Sequence, residues 1–140
     1  MLGKTVLAFF LPLLLATSVS QSDKRGAFLS LIARDYSAAV EKLGTELAAV
    51  EKEPASAIEN GADRLLFLLA GARLHAGNAA AAAADFARLE KDYPRSPYLT
   101  LARFGRARCL SRSRSFQDAA AIFRSEVQRL LSADRRVRLA

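Results

Sequence analysis

Cysteine is almost absent from the sequence, since Cys109 is the only one, and tryptophan is missing altogether. A single cysteine excludes an internal disulfide framework and a zinc site built from several cysteines. Prolines and β-branched residues are few, and alanine, leucine and arginine dominate, so local propensity favours helix throughout. With 51% hydrophobic and 25% charged residues among 140, the chain has the composition of one modest globular domain.

Acidic residues are scarce in the last third of the chain. Residues 95–140 contain 11 arginines, no lysine and only three acids, whereas residues 1–94 contain 10 Lys and Arg against 11 Asp and Glu. The net charge of +7 therefore resides in the C-terminal third. Such an excess is typical either of a solvated basic face or of a surface for an acidic peptide, an anionic lipid or a polyanion.

The first 20 residues differ from the rest. Lys4 precedes an apolar run at 6–16, and the small residues Ser18 and Ser20 follow it. This order is typical of a secretory signal peptide, and the run is shorter than the ~20 apolar residues of a membrane-spanning helix. No cysteine follows the run, which excludes a bacterial lipoprotein anchor. We therefore predict a signal peptide at 1–20 and a soluble exported chain after cleavage, with an uncleaved membrane anchor as the alternative.

Hydrophobic spacing, proline and glycine divide the remaining chain into helices. Pro54 and Pro94 end helical stretches because proline lacks an amide N–H and restricts the residue before it. Gly77 and Asn78 accept the left-handed conformation that closes a helix. The predicted helices form three pairs, namely 22–33 with 36–52, 57–76 with 79–92, and 97–111 with 116–132.

The two ends of the last pair receive specific predictions. Ser96 is a good N-cap and Pro97 suits the first helical position, so the fifth helix is predicted to begin there. At the other end, Ser132 or Asp134 is a plausible N-cap, so the start of a further or capping helix is predicted in 133–140. This further segment stops within about two turns and would leave the last full helix partly uncovered, so we expect the chain to be part of a longer repeat protein or to complete its core by pairing with another chain.

Three segments of the chain align without gaps: residues 34–43, 77–86 and 114–123. The sixth position is always alanine and the tenth is always large and apolar. The alanines are Ala39, Ala82 and Ala119, and the large residues are Leu43, Phe86 and Phe123. Separations of 43 and 37 residues suit a helical-repeat array with loop insertions.

Residues 63–94 resemble a tetratricopeptide repeat, a helix–turn–helix unit of ~34 residues with small packing residues and a closing proline. The matching residues are Leu66, Leu69, Ala70, Gly77, Ala82, Phe86 and Pro94. Arg73 and Ala79 stand where the family usually has aromatic residues. The third repeat matches at Ala107, Phe116, Ala119 and Phe123 but has Arg103 and Arg106 at usually apolar positions, and the first matches only in its second helix.

The segment "DYPRSPYLTLA" at 92–102 is similar to the join between repeats in bacterial extracytoplasmic tetratricopeptide proteins. These include the lipoprotein of outer-membrane β-barrel assembly and the periplasmic coordinator associated with the Tol–Pal system. The resemblance implies an all-α, tetratricopeptide-like α-solenoid of about three antiparallel helix pairs in residues 21–132. It also implies a non-catalytic scaffold for protein–protein interaction in the periplasm or cell envelope.

No residue pattern indicates an enzyme. His75 is the only histidine, and no His, Cys or acid pair stands at ligand spacing around it. Cys109 lies on a stripe with Ala102 and Gly105, which predicts close helix packing and a buried, inert thiol. Glycines are scattered singly, so no loop is suited to cradle a phosphate. We therefore predict no catalytic residue, no cofactor and no metal.

The resemblance implies a partner-binding groove lined mainly by the first helix of each pair. On this chain it nominates Arg64, Phe67, Gly71, His75, Phe104, Arg108 and Arg112. The expected occupant is a protein or an acidic peptide, because the export signal and the lack of interleaved aromatics disfavour nucleic acid. The alternative function is a signal-anchored basic protein that associates peripherally with anionic lipid or with another polyanion.

Overall fold

The computed structural model describes residues 25–52 and 61–138, with side chains as far as residue 131. Within these ranges all regular structure is helical, as predicted. The helices are α1 (25–32), α2 (Tyr36–Glu51), α3 (Ala62–His75), α4 (Ala79–Asp92), α5 (Leu99–Arg112) and α6 (Phe116–Arg138). The predicted signal peptide at 1–20 and the predicted helix starts at 22 and 57 lie outside the described residues.

Each helix packs on its neighbours in the chain. The pairs α2–α3, α3–α4, α4–α5 and α5–α6 are in contact, and α3 also touches α5. Connections of three residues join α1 to α2, α3 to α4 and α5 to α6, which makes the two helices of each pair antiparallel. No comparable packing joins α2 to α5 or α6 in the described part of the chain. The prediction of a stacked helical array, as opposed to a closed bundle, is confirmed.

Each pair is closed by a turn whose middle residue has a left-handed backbone. These residues are Arg34, Gly77 and Arg114, with φ of 59°, 91° and 62°. The next amide N–H then donates to a carbonyl five residues earlier, the Schellman arrangement that closes a helix. The three bonds, each 2.9 Å, run from Asp35 to Ser30, from Asn78 to Arg73 and from Ser115 to Leu110. The aligned segments therefore begin at the same structural position in all three pairs.

The second helix of each pair begins immediately after this turn. The side chains of Asp35 and Asn78 each accept a hydrogen bond, 3.1 Å long, from the amide N–H three residues later, which caps α2 and α4. The alanines at the sixth aligned position are buried in all three helices. At the tenth position Leu43 and Phe86 are buried, but Phe123 is 36% exposed. A following helix covers the first two, and no described helix follows α6.

Gly105 sets how closely α5 approaches α4. A Cβ atom on this glycine would lie 2.5 Å from the ζ carbon of Phe86, a distance at which the ring would have to move. Ala102 and Cys109, on the same face of α5, are fully buried. The predicted stripe of small residues is therefore a contact surface, and the α4 side of that contact is the ring of Phe86.

The fifth helix begins two residues later than predicted. α5 starts at Leu99, because the Ser96 hydroxyl is engaged in a local turn, where it accepts from the Tyr98 amide N–H at 3.1 Å. The same hydroxyl donates to Asp63 Oδ2 at 2.6 Å, which fixes it against the start of α3. Ser96 therefore ties two helix pairs together instead of capping α5.

The predicted end of the last helix is wrong. α6 continues without interruption from Phe116 to Arg138, so neither Ser132 nor Asp134 caps a new helix. The stretch 116–138 contains no glycine or proline, and its alanine, leucine, arginine and glutamine residues all favour helix, so nothing local forces a break. None of the helices in the described ranges is long and apolar enough to span a bilayer.

We predict that Gly105→Ala lowers the free energy of unfolding by about 2 kcal/mol, because the added methyl overlaps the ring of Phe86. Gly71→Ala is the matched control. It also places alanine in a helix interior, but its methyl would meet no atom within 4 Å. That variant should be more stable than the wild type by about 0.5–1 kcal/mol. Urea unfolding followed by circular dichroism measures both; equal effects would show that the contact with Phe86 does not limit helix spacing.

We also predict that Arg34→Gly and Arg114→Gly each raise the free energy of unfolding by about 0.5–1 kcal/mol, because glycine adopts a positive φ without steric cost. Gly77→Ala should lower it by about 1 kcal/mol for the converse reason. Thermal unfolding of the three variants provides the measurement. A loss of stability in both arginine variants would mean that these side chains stabilise their turns through contacts.

Candidate partner-binding surface

The seven residues predicted to line a groove lie on two helices that touch each other, α3 and α5. The turns at Gly77 and Arg114 are 37 residues apart, so each α3 residue has an equivalent 37 residues later on α5. The related positions are Phe67 and Phe104, Gly71 and Arg108, His75 and Arg112, and Arg64 and Leu101. Leu101 was missed from the sequence, although the same separation would have identified it as the counterpart of Arg64.

The two phenylalanines pack between helices. The Phe67 ring stacks on Tyr98, with centroids 5.2 Å apart, and lies 6.0 Å from Phe86 in a tilted arrangement. The Phe104 ring stacks on Phe123 of α6, with centroids 5.8 Å apart. Both rings are half-buried. Both rings therefore contact neighbouring helices, and part of each ring remains exposed to solvent.

Arg112 and His75 are also engaged within the protein. Nη1 of Arg112 donates to the backbone carbonyl of Leu74 at 2.6 Å. Carbonyls in the last turn of a helix lack intrahelical partners, and a positive charge is favourable there, so Arg112 binds α5 to the C-terminal end of α3. The His75 ring stacks on Tyr36 of α2, with centroids 4.9 Å apart. Both side chains therefore already have partners within the protein.

Arg64 and Arg108 remain free. Both are exposed, and neither guanidinium forms a hydrogen bond or ion pair with another residue in the ranges 25–52 and 61–138. Leu101 is 54% exposed, and a Cβ atom on Gly71 would meet nothing within 4 Å. The α3–α5 face, defined by these four residues, therefore presents two unpaired cations, one apolar side chain and an open stretch of backbone.

A groove of about 530 Å³ lies where α1, α2 and α3 meet. Its apolar lining includes Phe28, Leu31, Leu65 and Leu68, and Arg64 is among its lining residues. The sequence does not predict this groove, because whether α1 lies opposite α3 depends on how the first and second pairs stack. Arg64 therefore belongs both to the α3–α5 face and to an apolar groove beside it.

Several other arginines form ion pairs with buried or half-buried carboxylates. Arg103 bonds Glu90 of α4 at 3.3 Å and Glu126 of α6 at 2.8 Å, and Arg106 bonds Glu90 at 3.1 Å. Arg129 bonds Glu126 at 2.7 Å. These contacts give Arg103 and Arg106 partners on the helices that flank α5. They also account internally for part of the basic excess.

The pKa values of the Glu126 and Asp85 carboxyl groups are shifted by their surroundings. Hydrogen bonds from Arg129, and then from Arg103, hold the pKa of Glu126 below its ordinary value although the side chain is buried. At Asp85 burial raises the pKa, and the charge of Arg73 opposes this only in part. Nη1 of Arg73 lies 2.6 and 2.7 Å from the two oxygens of that carboxylate, where it joins α3 to α4.

The remaining groups that could carry chemistry are the cysteine thiol and the potential metal ligands. Cys109 is buried, and burial raises the pKa of its thiol, which keeps the sulfur protonated and weakly nucleophilic. Over the described part of the chain, no three His, Cys, Asp or Glu side chains converge as a metal ion would require. The arrangement is suited to recognise a carboxylate-bearing surface through Arg64 and Arg108.

We predict that Glu126→Gln lowers the free energy of unfolding at pH 7 by about 1–3 kcal/mol, because charge-assisted bonds to Arg103 and Arg129 are weakened. A lowered folded-state pKa contributes stability above the unfolded value, near 4.5, and this stability is lost as the pH falls through the folded value. The difference from wild type should therefore shrink below about pH 4.5. Glu41→Gln, at an exposed carboxylate of α2, is the control and should change little at any pH. A difference for Glu126→Gln that persists unchanged at pH 3 would contradict the role given to its charge.

The chain has been compared with protein-family models, with curated proteins and with solved structures, and none of them matches it.

Proposed function

We propose that the protein is a non-catalytic scaffold outside the cytoplasm that binds an acidic segment of a partner protein on the α3–α5 face. The observation that carries this proposal is that Arg64 and Arg108 are exposed and unpaired while Arg103, Arg106 and Arg112 are engaged inside the fold. Arg64 and Arg108 therefore place two free cations on helices that contact each other, α3 and α5.

The architecture supports this function. Three helix pairs closed by the same turn make a repeat array, and such arrays present extended surfaces that suit an extended ligand. The resemblance of 63–94 to a tetratricopeptide repeat, whose groove is lined by first helices, agrees with a site on α3 and α5. The signal-like residues 1–20 support a location in the periplasm or cell envelope.

The α3–α5 face offers an acidic segment three kinds of contact. The guanidinium groups of Arg64 and Arg108 suit carboxylates, with which arginine forms paired, charge-assisted hydrogen bonds. Leu101 offers apolar area that salt does not weaken. Gly71 leaves room for a peptide backbone to approach α3 closely. A mixed acidic and apolar segment fits these features better than a uniformly acidic one.

We predict that Arg64→Glu/Arg108→Glu weakens the binding of a fluorescent peptide rich in glutamate and leucine by at least tenfold. The matched control is Arg95→Glu/Arg124→Glu, which makes the same change of net charge at exposed positions off this face. It should cost less than threefold. Raising the salt concentration should weaken wild-type binding, because exposed charges are screened over ~8 Å at physiological ionic strength. Fluorescence anisotropy measures all three effects.

Two outcomes would contradict the proposal. Equal losses in the two double variants would mean that total charge, and not this face, governs binding. Tighter binding to vesicles of anionic lipid than to the peptide, again with equal losses in both variants, would favour a peripheral membrane protein. The peptide and the vesicles therefore separate the scaffold from its rival.

A further inference from the structure

α6 carries an exposed apolar stripe. We define it by Phe116, Phe123, Val127, Leu130 and Leu131, which are 63%, 36%, 47%, 42% and 53% exposed. Phe116, Phe123 and Leu130 recur every seven residues, and Val127 follows Phe123 by four. This spacing is typical of a helix that packs along another long helix. With 23 residues, α6 is the longest helix in the described part of the chain.

The equivalent face is covered in the other two pairs. Phe123 aligns with Leu43 of α2 and Phe86 of α4, which are only 2% and 3% exposed. Val127 aligns with Leu47, which is 4% exposed. In the case of Phe86 the covering element is the helix α5, whose Gly105 lies against the ring. The stripe on α6 therefore has the character of a surface that a helix covers.

We propose that a second copy of this chain covers it, by antiparallel pairing of α6 with α6 of the other copy. The stripe is self-complementary in an antiparallel pair centred between Glu126 and Val127, because Phe123 then faces Leu130 of the second copy. Among the helices described, α6 is the only one longer than the 16 residues of the stripe, since α2 has 16 residues and α3, α4 and α5 have 14 each.

The exposed area is large enough for a specific dimer. A whole aromatic side chain contributes about 150–250 Å², so the exposed fractions of the stripe amount to roughly 400 Å² on each copy. Two stripes alone would bury roughly 800 Å², and with the residues that flank them the total is about 1,000 Å², the lower limit for a specific interface.

Charge selects the antiparallel arrangement. The sequence 129–138 contains four arginines and one aspartate, so a parallel pair would bring two basic ends together. An antiparallel pair separates these ends and aligns the helix dipoles favourably. This interface does not use the α3–α5 face, so it stands independently of the proposed function and would give each dimer two such faces.

Sedimentation equilibrium tests the dimer. The purified protein should sediment at twice its chain mass of 15.2 kDa, and Val127→Glu/Leu130→Glu should raise the dissociation constant at least thirtyfold. Leu29→Glu/Ile32→Glu is the matched control, because these α1 residues are 62% and 63% exposed but lie at the other end of the array. It should remain dimeric. Unchanged helical circular dichroism in both variants ensures that the comparison concerns association.

Two sedimentation results would overturn the proposal. One is a wild-type monomer at 100 μM, which would mean that no second copy covers the stripe. The other is growth beyond the dimer that both double variants abolish, because this is the pattern of head-to-tail association between α6 and α1.

Cysteine cross-linking tests the direction of the pairing. Val127→Cys places a thiol next to the centre of the antiparallel pair, so mild oxidation should give a covalent dimer. Phe116→Cys places it at the start of the stripe, where the antiparallel partner residue is far along the other helix, so it should not cross-link to itself. The native Cys109 is 1% exposed and does not compete. Efficient dimers from Phe116→Cys, or none from Val127→Cys, would overturn the antiparallel arrangement.

Discussion

The left-handed residue in each three-residue turn is the constraint on which the rest of the structure depends. Arg34, Gly77 and Arg114 reverse the chain within three residues, so that two helices lie side by side. Because each reversal is the same, the sixth residue of every aligned segment comes to an equivalent buried position, and it is alanine in all three. The equivalent burial of Leu43 and Phe86 at the tenth aligned position follows from the same repetition.

Arginine performs two different tasks in this fold. Arg73 and Arg103 join neighbouring helices through the partly or largely buried carboxylates of Asp85, Glu90 and Glu126. The exposed Arg129 adds a second bond to Glu126 within α6. A buried carboxylate without such a partner would be costly, so these contacts fix how the helices are matched. Outside the array, the same side chain at Arg64 and Arg108 has no internal partner. The basic composition therefore reflects both assembly of the core and the character of one surface.

The sequence was sufficient where the determinants are local. The turn at Gly77, the burial of Ala82 and the small stripe around Gly105 follow from backbone preference and residue size at known spacing. It was insufficient where partners come from distant parts of the chain. The bond from Arg112 to the Leu74 carbonyl and the pairing of Arg103 with Glu126 depend on how helix pairs stack. The continuation of α6 past Ser132 does not follow from the sequence pattern, because a residue that caps helices well, such as serine, is also compatible with a helix interior when no glycine or proline breaks the helix.

The open array has a consequence for cooperativity. Because contacts run mainly between neighbouring helices, the first and third pairs are coupled chiefly through α3 and α4. Any ligand on the α3–α5 face would bridge the second and third pairs directly, as Arg112 already does through the Leu74 carbonyl. Such a ligand would oppose the separate opening of the last pair, so that the array would unfold more nearly as one unit when the surface is occupied.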